Sequence, residues 1–221
     1  MPQRPAPVYA RPGEKMPGLL GLCAQRKAFP TTVYVTPLTK AFSLPPRFRP
    51  QMGDPAVGKS ALVQMFHSGG QRFPKAYNMT CGVDFCVKAT NVLGTEEAVE
   101  LHLFDSAGQD VFAEMMPQYW EGAKGVVLVY DVTRAHTLEA CAIWYQRVTE
   151  SLGIASLPGV VVANKMDLRE RTCVTRQDGH TMAQNLGMQF FEASALDGVD
   201  VDAPFAAIGA LLHGAGDSDG F

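Results

Sequence analysis

Gly53-Asp54-Pro55-Ala56-Val57-Gly58-Lys59-Ser60 fits the pattern G-x-x-x-x-G-K-[ST], a loop that wraps phosphate groups. The chemistry requires these residue types. Glycines let the backbone turn sharply and come close to an anion, so that successive N–H groups point at it. Lys59 sets a point charge against β- and γ-phosphate oxygens, and the Ser60 hydroxyl is suited to ligate Mg²⁺. Ala61 and the residues to Phe66 read as a helix whose N-terminus adds partial positive charge beneath the phosphates.

A loop of this kind emerges from a buried parallel strand, written as a near-continuous apolar run. Here Leu44-Pro45-Pro46-Arg47-Phe48-Arg49-Pro50-Gln51-Met52 precedes it, and three prolines and two arginines exclude a central strand. The best substitute is Thr31-Thr32-Val33-Tyr34-Val35-Thr36, too far upstream for a tight turn. Either a long loop intervenes or the first strand has been replaced, so that strand is expected to be atypical or missing.

Residues 1–50 hold ten of the 15 prolines, a density that opposes helices and ladder hydrogen bonds and predicts disorder for 1–52. That segment reads as a solvated tail, as a transit peptide (basic and acid-poor, though low in serine), or as misassigned or alternatively spliced sequence. The abrupt change at Met52/Gly53 favours the third. Residues 1–52 carry eight basic side chains and one acid, Glu14, which leaves 53–221 at −10 within a total of −3. So acidic a body argues against nucleic acid as a partner. Five scattered cysteines lack metal-ligand spacing and read as reduced thiols of a cytoplasmic protein.

From Gly53 the pattern becomes regular. A helix over Lys59–His67 leads to a strand over Val83–Thr90, a turn near Gly94, and a returning strand that alternates Val99, Leu101 and Leu103 with Glu100 and His102. A short helix with Met115 and Met116 follows, then an apolar strand at Gly125–Tyr130 and a helix over Leu138–Leu152. A strand at Val160–Ala163, a helix near Asp178–Leu186, a strand at Gln189–Glu192 and a helix over Asp202–His213 complete the order. Alternating helices and buried strands predict a doubly wound α/β domain over 53–213, with a flexible tail at 214–221.

Ligands of such sheets sit beyond the carboxyl ends of the strands. One strand ends in Asp105-Ser106-Ala107-Gly108-Gln109. Asp105 is placed to hold Mg²⁺ through water, the Gly108 amide to meet a γ-phosphate, and Gln109 to orient an attacking water. Another ends in Asn164-Lys165-Met166-Asp167. A carboxylate accepts two parallel hydrogen bonds from guanine, whereas adenine would leave buried polar groups unpaired at about 1–3 kcal/mol each. Asn164 suits the purine edge and ties loops together, and the Lys165 stem suits the face of the ring. Ser194-Ala195 ends the last strand, where the Ala195 amide suits a guanine carbonyl.

Four signals in this order, each at a strand end, resemble the Ras superfamily of small GTPases over about residues 53–213. The resemblance implies a G domain with a mostly parallel six-stranded sheet, binding GTP or GDP with Mg²⁺. It implies Gly53, Asp54, Pro55, Ala56, Val57, Gly58, Lys59, Ser60, Ala61, Thr80, Gly108, Asn164, Lys165, Asp167, Ser194 and Ala195 at the nucleotide. Ser60, Thr80 and Asp105 are implied at the metal, and Gln109 and Lys59 in a slow hydrolysis. Thr80, within Tyr77-Asn78-Met79-Thr80-Cys81-Gly82-Val83-Asp84-Phe85, sits in a first switch of Rab type.

Phe104 and Ser106 replace the Trp and Thr usual in Rab proteins, and no cysteine lies near Phe221, so no prenyl anchor is expected. Gly53–Lys59, Leu157-Pro158-Gly159-Val160 and Ala203-Pro204-Phe205 resemble the Rab-like GTPase subunits of the intraflagellar transport B complex. That family implies a ciliary location and pairing with a small β-sandwich subunit and other proteins of the complex. An exchange factor and an activator are further expected partners. The alternatives are an unprenylated Rab-type traffic switch and a nucleotide-bound structural subunit that does not switch. Pro55, lacking an N–H beside the γ-phosphate, adds the expectation of altered hydrolysis.

Overall fold

The computed structural model describes residues 31–37, 56–78, 80, 83–92, 95, 97–106 and 117–216, with the backbone alone for 31–37, 118 and 214–216. In chain order these form β1 (Thr31–Pro37), α1 (Lys59–His67), β2 (Val83–Asn91), β3 (Ala98–Ser106), α2 (Pro117–Trp120) and β4 (Gly125–Asp131). Then follow α3 (Ala135–Leu152), β5 (Gly159–Asn164), a 3₁₀ helix (Met166–Arg171), α4 (Arg176–Asn185), β6 (Gln189–Glu192) and α5 (Asp202–Gly216). Met115 and Met116 lie outside the described residues, and α5 runs into the tail expected from Gly214 onward.

The strands lie in the order β2-β3-β1-β4-β5-β6. Because side chains alternate along a strand, each central strand supplies two cores. Val127 and Val129 of β4, with Val160 and Val162 of β5, meet Leu62, Phe66, Phe205 and Ile208 of α1 and α5. Val126, Leu128 and Tyr130 of β4, with Val161 of β5, meet Leu138, Trp144 and Val148 of α3 and Ala183 of α4. Phe66 and Phe205 stack at 4.1 Å between ring centroids, which fastens α1 to α5. Helices therefore cover both faces of the sheet, the doubly wound arrangement expected from the apolar strands.

Strand direction departs from expectation. β4, β5 and β6 are parallel, but β2 is antiparallel to β3, and β1 is antiparallel to both β3 and β4. The sheet is thus mixed rather than mostly parallel. Nor are residues 1–52 irregular throughout: their β-branched and aromatic stretch, set between Pro30 and Pro37, has the composition of a strand and forms one. Thr32 pairs with Phe104 and Pro37 with Val99, so β1 runs away from the carboxyl ends of its neighbours. It cannot turn tightly into the phosphate loop. The connecting residues 38–55 lie outside those described.

Candidate functional site

The described part of the phosphate loop enters α1 through two left-handed residues, Ala56 (φ 59) and Gly58 (φ 96). Alternation of this kind turns backbone N–H groups to one side and forms an anion-binding nest. Gly58 is required on two counts. Its φ suits glycine, and a Cβ there would lie 2.4 Å from Asn164 Nδ2. That nitrogen donates to the Val57 carbonyl at 2.8 Å, which ties the loop to the end of β5. Lys59 is buried at the first turn of α1, and Ser60 and Ala61 follow. Gly53, Asp54 and Pro55 lie outside the described residues.

The three side chains expected at a metal come together from separate elements. Ser60 Oγ of α1 and Thr80 Oγ1, upstream of β2, lie 2.9 Å apart, and the Thr80 hydroxyl donates to Asp105 Oδ2 of β3 at 3.4 Å. Burial pushes the Asp105 carboxyl up to about 6, with Asp84 adding to the rise, against the pull of Lys59 and the Ser60 and Thr80 hydroxyls. Asp105 Oδ1 is buried with no hydrogen-bond partner. A buried carboxylate oxygen of that kind, beside two hydroxyls, fits a hard cation such as Mg²⁺, which takes few protein oxygens. Gly108 and Gln109 lie outside the described residues.

The residues expected to read a base gather at the ends of β5 and β6. Asn164 Oδ1 accepts from the Ala195 amide at 3.2 Å, so one buried side chain joins the phosphate loop, β5 and the segment after β6. In this structure that amide, expected for a guanine carbonyl, is already engaged by Asn164. Ser194 Oγ donates to Asp167 Oδ1 at 2.7 Å and accepts from the Asp197 amide at 3.1 Å, which sets the carboxylate of the 3₁₀ helix. Lys165 turns left-handed (φ 70), and its ammonium lies 2.8 Å from Asp131 Oδ2.

A cavity of about 590 Å³ opens along these elements, lined by Ala56, Gly58, Lys59, Ser60, Ala61, Thr80 and Lys165. Asp105, Asn164, Asp167, Ser194 and Ala195 do not line it. Phe73, which the motifs did not single out, also lines it, as do Tyr77 and Asn78 of the switch stretch. Asp131, where β4 ends, was also missed; the turn Asp131-Val132-Thr133-Arg134 at a strand's carboxyl end was the available signal.

A phosphate loop at a helix N-terminus, beneath the carboxyl ends of an α/β sheet, defines the class of nucleotide-binding P-loop proteins. The Ras family model matches residues 51–213, and the chain belongs to that family of GTPases. Among its relatives, the intraflagellar transport protein 27 homolog of Mus musculus is 45% identical over 153 residues, covering 69% of this chain and 82% of its own. The Homo sapiens homolog is 40% identical over 161 residues, 73% of this chain and 87% of its own. Intraflagellar transport protein 27 of Chlamydomonas reinhardtii is 38% identical over 169 residues, 73% of this chain and 81% of its own.

Proposed function

We propose that this chain is a Rab-like small GTPase that binds GTP and GDP with Mg²⁺, hydrolyses GTP slowly, and serves in the intraflagellar transport B complex of cilia. The observation that carries the reading is the meeting of Ser60, Thr80 and the unsatisfied Asp105 oxygen beside the turn that holds Lys59. Oxygens from three elements face a loop suited to phosphates. The bound ion supplies charge neutralisation at the β- and γ-phosphates.

In this reading Lys59 and the N–H groups at the start of α1 bind the phosphates. Thr80 senses the γ-phosphate, Gln109 orients the attacking water, and Asp167 selects guanine. Hydrolysis is of order 10⁻⁴ per second without an activator, as expected of a domain that stabilises its transition state chiefly by positioning. The names of the relatives support the ciliary assignment. No described helix is long and apolar enough to cross a membrane.

The test is to purify the 221-residue chain from cells, denature it, and identify the released nucleotide by ion-exchange chromatography. Stoichiometric GDP or GTP is expected. An adenine nucleotide would refute the selection by Asp167, and a folded protein free of nucleotide would refute the site.

A further inference from the structure

Asp131 closes β4 in register with Asn164 at the end of β5, and its side chain is 2% exposed. Four donors converge on it. The Thr133 amide and hydroxyl donate to Oδ1 at 2.9 and 2.7 Å, and Arg134 Nε and Lys165 Nζ to Oδ2 at 3.0 and 2.8 Å. The Asp131 amide donates to Thr137 Oγ1 at 3.0 Å, which locks the turn into α3. Burial pushes the Asp131 carboxyl upward, but the bonds from Lys165 and Thr133 outweigh it and hold the group below the usual carboxylate range.

Lys165 is consequently held at both ends. Its backbone is fixed after β5, its ammonium is anchored on a buried carboxylate, and the stem between them borders the cavity. A lysine stem left free would have to be immobilised whenever a base bound against it, at the expense of affinity. We propose that Asp131 is a positioning residue of the nucleotide site, fixing Lys165 so that its stem forms a standing wall for the purine ring. The proposal rests on the guanine-nucleotide reading above. The competing role is local: Asp131 would only tie the turn through Thr133 and Arg134.

Release of a fluorescent N-methylanthraniloyl-GDP from the full chain separates the two. Asp131→Asn should speed dissociation about tenfold, equivalent to roughly 1.4 kcal/mol. Lys165→Met should speed it at least as much, and the double variant no further than Lys165→Met alone, since one residue acts through the other. Thr133→Val, which removes one hydrogen bond to Asp131 Oδ1 but leaves the Lys165 contact at Oδ2, should leave the rate within about twofold. An Asp131→Asn effect of equal size in both backgrounds, a wild-type rate in Asp131→Asn, or a Thr133→Val effect as large as that of Lys165→Met overturns the proposal. Where Asp131→Asn does not fold, Asp131→Glu, which keeps the charge but shifts it relative to Lys165 Nζ, takes its place in the same comparison, and a wild-type rate there overturns the proposal. A wild-type chain that binds no analogue overturns the guanine reading together with the proposal.

Discussion

Gly58→Ala tests the join between the phosphate loop and β5. The added Cβ would stand 2.4 Å from Asn164 Nδ2, closer than any real Cβ contact. At φ 96 an L side chain is also strained, by about 1–2 kcal/mol. To relieve the clash Asn164 must swing away and release the Val57 carbonyl at 2.8 Å. Both groups are buried, and an unsatisfied buried polar group costs about 1–3 kcal/mol. Together these predict a loss of roughly 2–5 kcal/mol, a large part of the 5–15 kcal/mol typical of a domain. For a chain of this length that lowers the melting temperature by about 4–20 °C. Urea unfolding followed by far-ultraviolet circular dichroism gives the number. A loss below about 1 kcal/mol would show that the backbone absorbs the methyl group and that the loop is not held by Asn164.

The other predictions address separate elements. The capping box of α4 joins Thr175 and Asp178 reciprocally, so Thr175→Ala should cost about 1 kcal/mol in urea unfolding. The Thr175 hydroxyl and amide hold the Asp178 carboxyl below its ordinary value, so its contribution is present above pH 3.8 and lost as the pH falls through the lower folded value. The midpoints of wild type and Thr175→Ala should therefore converge in acid. The folded value of Asp105, about 6 against 3.8 unfolded, has the opposite sign: stability present below pH 3.8 is lost as the pH rises through 6. Asp105→Asn should stabilise the nucleotide-free protein at pH 7.5 by on the order of 2–3 kcal/mol, while magnesium ceases to slow nucleotide release; calorimetry and stopped-flow release measure the two. Trp144→Ala, which empties the core beneath α3, should cost about 3–5 kcal/mol by thermal unfolding.

Much of the fold can be read from chemistry that is local in sequence. α1 and β6 begin and end where the sequence pattern places them, because each starts and stops on a polar residue around an apolar run. The meeting of Ser60, Thr80 and Asp105 was likewise legible, since each residue stands beside a strand end or helix start that one sheet gathers. The direction of β1 was not. An apolar, β-branched stretch reports burial, but either direction satisfies the ladder, and a connection as long as residues 38–55 permits both. Asp131 escaped for a related reason: its partner Lys165 is remote in sequence, and only the parallel pairing of β4 with β5 sets them side by side.

Asn164 also sets a timetable. Its amide binds Val57, 107 residues before it, and Ala195, 31 residues after it. Some 138 residues, roughly 7–28 s of synthesis at ordinary elongation rates, therefore separate Val57 of the phosphate loop from the last segment that fastens it. During that interval α1 is made but has no completed loop to present to a nucleotide. Ligand can stabilise this domain only once the chain has emerged past Ala195. A ribosome that stalls earlier would expose the apolar face of α1, with Leu62 and Phe66, to the cell's chaperones rather than to Phe205.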